Sequence, residues 1–174
     1  MTIPTGHPMA TAELFKDAFR THPAGIAVIT ARGVDGPVGL TASSVSSVSA
    51  EPPVLAFSVS TASSSAAALI AADTLVVHLL GADQVGIAQL FATRGADRFG
   101  GAVDWRPLPT GEPLLLEAPW ALRCRILHRL PVGGSMILAA EVVAIEQGDD
   151  GAVGAPLVYH NRSYHRLGDH SLLY

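Results

Sequence analysis

Residues 39–53, Gly-Leu-Thr-Ala-Ser-Ser-Val-Ser-Ser-Val-Ser-Ala-Glu-Pro-Pro, are the stretch of this sequence from which its fold is most readily interpreted. They place small hydroxyl residues after an apolar segment and end in a Pro-Pro break. Before them, residues 25–31 are apolar and β-branched, and a Gly-Val-Asp-Gly turn leads to residues 37–42 as a hairpin partner. After them, residues 54–59 form another extended apolar run. The stretch therefore indicates a succession of short antiparallel strands.

The rest of the chain adds more strands than helices. Residues 11–20 predict a short amphipathic helix with Thr11 as its N-cap. Further helices are predicted over 63–72 and 82–92, and further strands over 46–49, 74–80, 121–130, 136–145 and 157–160, with a long loop over 93–116. The fold class expected for the single domain 1–174 is mainly β with short helices, arranged as a closed or nearly closed antiparallel barrel.

Composition excludes several classes of protein. The chain has 174 residues, of which 49% are apolar. No apolar run approaches the roughly 20 residues of a membrane-spanning helix, and residues 1–10 have neither the basic nor the apolar part of a signal peptide. The net charge of −4 argues against nucleic acid as a partner. No Cys pair or His-carboxylate motif suggests a metal site.

Two features bear on location and assembly. The one cysteine, Cys124, cannot form an internal disulfide, which favours a cytoplasmic protein. Charged residues make up only 15% of the chain, against about 25% in an ordinary globular protein. A surface so poor in charge predicts that the protein is an oligomer, and a dimer is the simplest expectation.

A band of hydroxyl side chains is the densest polar signal in the sequence. It runs from Thr41 to Ser49 and resumes with Ser58, Ser60, Thr61 and the three serines 63–65. Small hydroxyls donate hydrogen bonds to phosphate or carbonyl oxygens, and the second group precedes a predicted helix, whose N-terminus favours an anion. Ser and Thr are also common turn and cap residues. Composition alone leaves both interpretations open.

The order of these pieces resembles the flavin reductase-like family, the small reductases that supply reduced flavin to two-component monooxygenases. The resemblance rests on a Gly-x-Thr-Ala-Ser-Ser turn and a Ser-Val-Ser-x-x-Pro-Pro step, and covers about residues 11–168. It continues through Phe57-Ser58-Val59-Ser60, Gln89-Leu90-Phe91-Ala92, Asp97-Arg98-Phe99, Gly111-Glu112-Pro113-Leu114, Ala121-Leu122-Arg123-Cys124 and Tyr159-His160 with Tyr164.

The resemblance implies a split antiparallel β-barrel of the FMN-binding type that forms a homodimer and binds FMN or FAD. NAD(P)H would pass a hydride to the flavin, and the reduced flavin would leave for a partner monooxygenase. Thr41, Ala42, Ser43 and Ser44 would line the isoalloxazine and the ribityl chain. The phosphate would lie toward Ser58, Ser60 and Ser64, with Phe91 and Arg98 close to the flavin or its phosphate.

One departure from the family pattern concerns the electron donor. The family usually has Gly-Asp-His where this chain has Gly133-Gly134-Ser135, and that His lies where nicotinamide docks. Three explanations stay open: other groups such as His160 and Tyr164 bind the nicotinamide, the electron donor differs, or the protein binds flavin as a carrier or sensor without reducing it. Hydride transfer needs stacking and distance more than an acid, so no catalytic side chain is predicted.

Two further side chains are expected to be structural. In residues 121–130, Leu122, Cys124, Ile126 and His128 alternate with arginines. That alternation predicts an inward face on which His128 is a hydrogen-bonded core histidine and Cys124 serves packing.

Overall fold

A computed structural model of the chain describes residues 9–148 and 154–173. No signal peptide is expected over residues 1–10, and residues 1–8 of that segment lie outside the described residues. Residues 149–153 and 174 of the predicted domain 1–174 also lie outside them. The helices are α1 (Ala12–Arg20), α2 (Ser64–Ala71) and α3 (Val85–Ala92), the last preceded by one 3₁₀ turn, Ala82–Gln84, and a second 3₁₀ turn is Asp169–Ser171. The strands are β1 (Ala24–Gly25), β2 (Ala27–Gly33), β3 (Gly36–Ala42), β4 (Ser46–Ala50), β5 (Pro53–Ser60), β6 (Thr74–Leu79), β7 (Trp105–Pro107), β8 (Pro113–Leu115), β9 (Trp120–Val132), β10 (Ser135–Gln147), β11 (Leu157–His160) and β12 (Ser163–Arg166).

Seven of the described strands form one antiparallel sheet in the order β3-β2-β6-β9-β10-β5-β4. Strands β3 and β4 are its two edges, so the sheet is not closed, as in a split barrel. Strands β1, β11 and β12 form a second small sheet, and β7 pairs with β8. The mainly β class with short helices and the split-barrel arrangement predicted from the sequence are confirmed.

The hydrophobic core has two parts. The first packs the large sheet against α2 and includes Ile29, Phe57 and Leu69. The second joins α3, β8 and β11 and includes Phe91 and Leu157. Because neighbouring β2 residues point to opposite faces of the sheet, Val28 contributes to the second part and Ile29 to the first. The buried strand β2 therefore joins the two halves of the core.

The expectation of a long loop over 93–116 was incomplete, because this region contains the strand pair β7 and β8. Residues 163–166, for which no strand was predicted, form β12, which pairs with β11 from Leu157↔Arg166 to His160↔Ser163. Strands β7 and β8 each contain a proline and β12 is polar, so they lack the apolar run by which residues 157–160 were recognised, and pairing with a partner strand decides whether they form.

The expectation for His128 was wrong. The pairing of β9 with β10 shifts between Ile126↔Ala140 and His128↔Ala139, which leaves Leu127 as a bulge. A bulge inserts one residue and reverses the alternation beyond it, so His128 is exposed. Cys124, on the near side of the bulge, is buried as predicted, and burial raises the pKa of its thiol to about 12.

The buried histidine of this fold is His78 on β6. Its Nδ1 lies 3.1 Å from the carbonyl oxygen of Val28, and its Nε2 accepts the N–H of Leu115 at 3.0 Å. Burial lowers the pKa of His78 to about 4 despite the opposing hydrogen bond to Val28. The neutral imidazole therefore ties β2 to β8 inside the core.

Candidate functional site

An open cleft of about 780 Å³ lies beside the end of β3, the outer face of β5 and the two helices α2 and α3. This volume is within the range of roughly 300–1,000 Å³ found for small-molecule sites. Six of the nine residues predicted to bind the flavin line it. They are Thr41, Ser58, Ser60, Ser64, Phe91 and Arg98.

The hydroxyl side of the cleft follows from the alternation of β5. Leu55, Phe57 and Val59 are buried, so Ser58 and Ser60 point outward toward the cleft. The chain then turns through residues 61–63 into α2.

The N-terminus of α2 opens into the same space. Ser63 is the N-cap residue, but its hydroxyl makes no capping hydrogen bond, and both Ser63 and Ser64 line the cleft. An N-terminus without a side-chain cap leaves backbone N–H groups available to an acceptor and attracts negative charge. This end of the cleft therefore has donors and a positive dipole end.

The apolar side of the cleft is built around Phe91 of α3. The ring is 1% exposed and meets Phe99 edge-on, with 5.4 Å between ring centroids. It lies directly against Gly39 of β3, where an added Cβ would be 2.6 Å from ring atom Cε1 of Phe91. Gly39 is required here because any side chain would displace the ring.

Two arginines line the cleft, and their environments differ. Arg98 donates from Nε to the carbonyl oxygen of Phe91 at 3.2 Å, from Nη1 to Ser65 Oγ at 3.3 Å and from Nη2 to the carbonyl oxygen of Thr93 at 2.9 Å. Arg94 is exposed at the cleft and makes no side-chain hydrogen bond or ion pair with the described residues. No described lining residue is acidic, so the cleft is positively charged in a chain of net charge −4.

The remaining predicted flavin residues have other positions. Ala42 is buried and Ser43 exposed, and neither lines the cleft. Ser44 is exposed and does not line the cleft, but its Oγ accepts the N–H of Ser58 at 2.9 Å and donates to the carbonyl oxygen of Ser58 at 3.0 Å. Thr41 lines the cleft, but its hydroxyl already donates to the carbonyl oxygen of Ala88 at 2.6 Å.

The two predicted nicotinamide residues are not brought to this cleft. Tyr164 packs against the second core cluster and contacts Tyr159, with ring centroids 5.1 Å apart, and burial raises the pKa of its phenol. His160 lines two smaller cavities, one of them beside α1. Both residues belong to the small sheet β1-β11-β12, whereas the cleft belongs to the large sheet and its helices.

The Gly133-Gly134-Ser135 turn does reach the edge of the cleft. It joins β9 to β10, and the carbonyl oxygen of Gly134 accepts both the N–H of Thr61 at 3.1 Å and its hydroxyl at 3.0 Å. Thr61 itself lines the cleft. A Cβ built on Gly134 meets no atom within 4 Å. The turn is therefore fixed against the cleft wall and has room for a side chain.

Sequence reasoning missed three contributors to this site. Thr61 was recognised only as part of the hydroxyl band. Gly39 contacts Phe91, which is 52 residues further along the chain, and no local sequence pattern predicts a contact at that separation. Arg94 follows the end of α3 and precedes Gly95, a left-handed residue with φ of +75°. Its place just after a predicted helix was the one signal that pointed to it.

The described residues contain neither a membrane-spanning helix nor a metal site. They contain no helix long and apolar enough to cross a membrane. They contain no group of three or more His, Cys, Asp or Glu side chains placed to hold a metal ion.

Fold and site together define a small split-barrel domain with a cationic, hydroxyl-lined cleft. A family model described as flavin reductase like domain matches residues 19–168. The chain belongs to the flavin reductase-like family, and the family predicted from the sequence is confirmed.

Three known proteins show the degree of similarity. The NADH:FMN oxidoreductase of Rhodococcus qingshengii is 42% identical over 153 residues, which are 87% of this chain and 80% of that protein. The structure of a flavin reductase domain protein from Arthrobacter sp. FB24 is 36% identical, with a TM-score of 0.86 over 94% of this chain and 99% of that one. The Streptomyces globisporus C-1027 NADH:FAD oxidoreductase SgcE6, in complex with NAD and FAD fragments, is 28% identical, with a TM-score of 0.80 over 90% and 93%.

Proposed function

We propose that this chain transfers a hydride from NADH or NADPH to FMN or FAD bound in the cleft, and that the reduced flavin leaves for a partner monooxygenase. The class of enzyme, an NAD(P)H-dependent flavin oxidoreductase, follows from membership of the family. The observation that carries the proposal is the cleft itself. Apolar groups around Phe91 lie beside a run of hydroxyls, an uncapped helix N-terminus and two arginines, with no acidic lining residue among those described.

The residues present fit a flavin. An isoalloxazine needs an apolar slot, which Leu40, Val59 and Phe91 provide. A phosphate needs hydroxyls, backbone amides and at least one guanidinium, and Ser58, Ser60, Ser64 and the arginine side of the cleft supply these. Of the four residues predicted for the ring and ribityl end, Thr41 serves from the cleft wall and Ser44 through its hydrogen bonds to Ser58, whereas Ala42 and Ser43 do not line the cleft.

The protein contributes binding and geometry. When bound, the flavin supplies the redox chemistry, because its ring accepts the hydride. The described lining residues include no carboxylate, imidazole or thiol, which suits a transfer that needs close stacking and exclusion of water but no protein acid. The buried Phe91 and its neighbours keep water from one face of the ring.

His160 and Tyr164 fit the nicotinamide role only if a second copy of the chain brings them to the cleft. The homodimer predicted from the low charge is therefore part of the proposal. Helix α1 supports it, because none of its residues is buried and Leu14, Phe15 and Phe19 are 54%, 62% and 59% exposed. Burying this apolar face would stabilise a dimer. Light scattering at micromolar concentration should give twice the 18.0 kDa of one chain, and a monomer would contradict the dimer.

Cytoplasmic location is proposed on the same footing. The chain has one cysteine, Cys124, which cannot form an internal disulfide, so its fold needs no oxidising compartment. We propose no nucleic acid or membrane partner.

One observation favours a second candidate, a flavin-binding carrier or sensor that does not reduce its cofactor. The turn Gly133-Gly134-Ser135 offers no imidazole at the edge of the cleft. Anaerobic mixing of the protein with FMN and each nicotinamide distinguishes the two. Loss of the visible flavin absorbance supports the reductase, whereas saturable binding without loss of absorbance supports the carrier.

A further inference from the structure

The two arginines of the cleft differ in how many of their N–H donors are already engaged by the protein. The three donor nitrogens of Arg98 are each engaged, two by the carbonyl oxygens of Phe91 and Thr93 and one by the hydroxyl of Ser65. Arg98 therefore joins the end of α3 to the first turn of α2. A guanidinium has five N–H donors in all, but turning this one toward a ligand would break contacts that shape the cleft.

Arg94 is held differently. Its neighbour Thr93 is fixed by backbone hydrogen bonds from its N–H to the carbonyl oxygens of Gln89 and Leu90, and by its hydroxyl, which donates to Gln89 at 2.8 Å. Gly95 follows in the left-handed conformation and turns the chain. The backbone of Arg94 is thus anchored on one side and turned on the other, and its side chain is exposed on the cleft wall without a partner among the described residues.

The groups that share this cleft with Arg94 suit a phosphate. The hydroxyls of Ser58, Ser63 and Ser64 make no hydrogen bond within the described residues, and the N-terminus of α2 has no side-chain cap. No described lining carboxylate competes for the guanidinium. A phosphate monoester carries close to two negative charges and three acceptor oxygens, which match an uncommitted guanidinium and several hydroxyls.

We propose that Arg94 makes the direct charge contact with the phosphate of the bound flavin, and that Arg98 is a positioning residue that shapes the cleft. The inference rests on the proposed function, because it assumes that the cleft binds a flavin. It also revises the role that the family resemblance implies for Arg98.

Titration of two ligands with the same ring tests the inference. FMN carries the phosphate and riboflavin lacks it. Wild-type protein should bind FMN more tightly than riboflavin. Arg94→Gln should weaken FMN binding by about 10- to 100-fold, the effect of losing one hydrogen bond to a charged group, and should leave riboflavin binding unchanged. Arg94→Lys should keep part of the preference, since it keeps the charge. Arg32→Gln removes an exposed arginine outside the cleft and serves as the matched control.

The positioning role of Arg98 makes a different pattern. Arg98→Gln should weaken both ligands by a similar factor and lower the melting temperature, because three hydrogen bonds between the helices and their loop are lost. Higher salt should reduce the preference of the wild-type protein for FMN, since an exposed charge contact is screened. Higher salt should have little effect on the ratio of FMN affinity to riboflavin affinity in Arg94→Gln.

The failures are distinguishable. If wild-type protein binds neither flavin, the proposed function is wrong. If it prefers FMN and Arg94→Gln keeps that preference in full, the proposed function stands and the role of Arg94 is wrong. If Arg98→Gln removes the preference for FMN and leaves riboflavin binding and stability unchanged, Arg98 and not Arg94 makes the phosphate contact, and the proposal is wrong.

Discussion

The cleft and the small sheet β1-β11-β12 differ in how their predicted residues are assembled. In the cleft, six of nine predicted flavin residues converge within one chain. On the small sheet, Tyr164 is opposite Tyr159 and His160 is opposite Ser163, so the two predicted nicotinamide residues lie on different faces, and neither lines the cleft. The second core cluster nevertheless connects the regions, because it includes Phe91 and packs against Tyr164. Under the proposed function, we therefore expect the flavin side of the cleft to form within one chain and the electron-donor side to need a second copy.

Ser44→Leu should have the largest effect on the cleft side of this comparison. Ser44 bonds both the N–H and the carbonyl of Ser58, a residue of the cleft wall, and leucine loses both bonds and adds bulk beside Ser58. Losing two hydrogen bonds of about 1 kcal/mol or more each, together with the displaced wall, should weaken flavin binding by ~100-fold or more. Ser47→Leu, exposed on β4, is the matched control. Circular dichroism should show both variants folded; an unchanged flavin titration for Ser44→Leu would remove Ser44 from the site.

Some residues of the cleft could be predicted from the sequence and others could not, for physical reasons. The resemblance to the family predicted Ser58, Ser60 and Ser64, and they line the cleft because the alternation of β5 turns Ser58 and Ser60 outward and Ser64 begins α2. The hydrogen bond of Thr41 to Ala88 and the contact of Gly39 with Phe91 join segments 47 and 52 residues apart, which the sequence does not relate. His128 was misplaced because one bulged residue, Leu127, reverses the faces of β9.

Acid should weaken the core that connects the two regions. The pKa of His78 falls from 6.5 to about 4 on folding, so the unfolded chain binds the proton more readily. Stability from this group is therefore complete above pH 6.5 and declines as the pH falls toward 4. The expected loss between pH 7.5 and pH 5 is about 2 kcal/mol, or about 30-fold in the folding equilibrium.

Urea unfolding at several pH values measures this loss. His78→Gln should be less stable at pH 7.5 and should lose less stability toward pH 5 than the wild-type protein. His128→Gln removes an exposed histidine and controls for general charge effects. Equal pH slopes for wild type and His78→Gln would show that another group accounts for the acid sensitivity.

Substitutions in the turn between β9 and β10 should create a nicotinamide contact within one chain. Gly134→Asp with Ser135→His restores the family pattern, and the position of Gly134 has space for a side chain. A new polar or charge-assisted contact with the nicotinamide is worth about 1–3 kcal/mol, so KM for NADH should fall by about 5- to 150-fold.

Flavin affinity serves as the control for that variant, because the hold of Thr61 on Gly134 uses the carbonyl oxygen, which substitution keeps. It should stay within about twofold of wild type if the bond persists. Steady-state kinetics at saturating FMN give the KM. A KM that does not move while flavin affinity is intact would mean that this turn does not face the nicotinamide.

Mixing two defective variants should give the smallest effect and the most direct test of the comparison. His160→Ala is expected to raise KM for NADH roughly tenfold, and Ser44→Leu to weaken flavin binding so far that its own cleft stays essentially empty at an FMN concentration just sufficient for the wild-type protein. If His160 serves the cleft of the other subunit, half of the dimers formed on co-refolding equal amounts carry one cleft with both intact residues. At NADH well below KM, activity should reach about a quarter of wild type. If His160 acts only within its own chain, no mixed dimer has an intact site, and activity should be about a twentieth of wild type. Refolding each variant alone controls for losses in handling. A value near the lower figure would leave the small sheet without a role in the neighbouring cleft, because the mixed dimers would have been present without any restored activity.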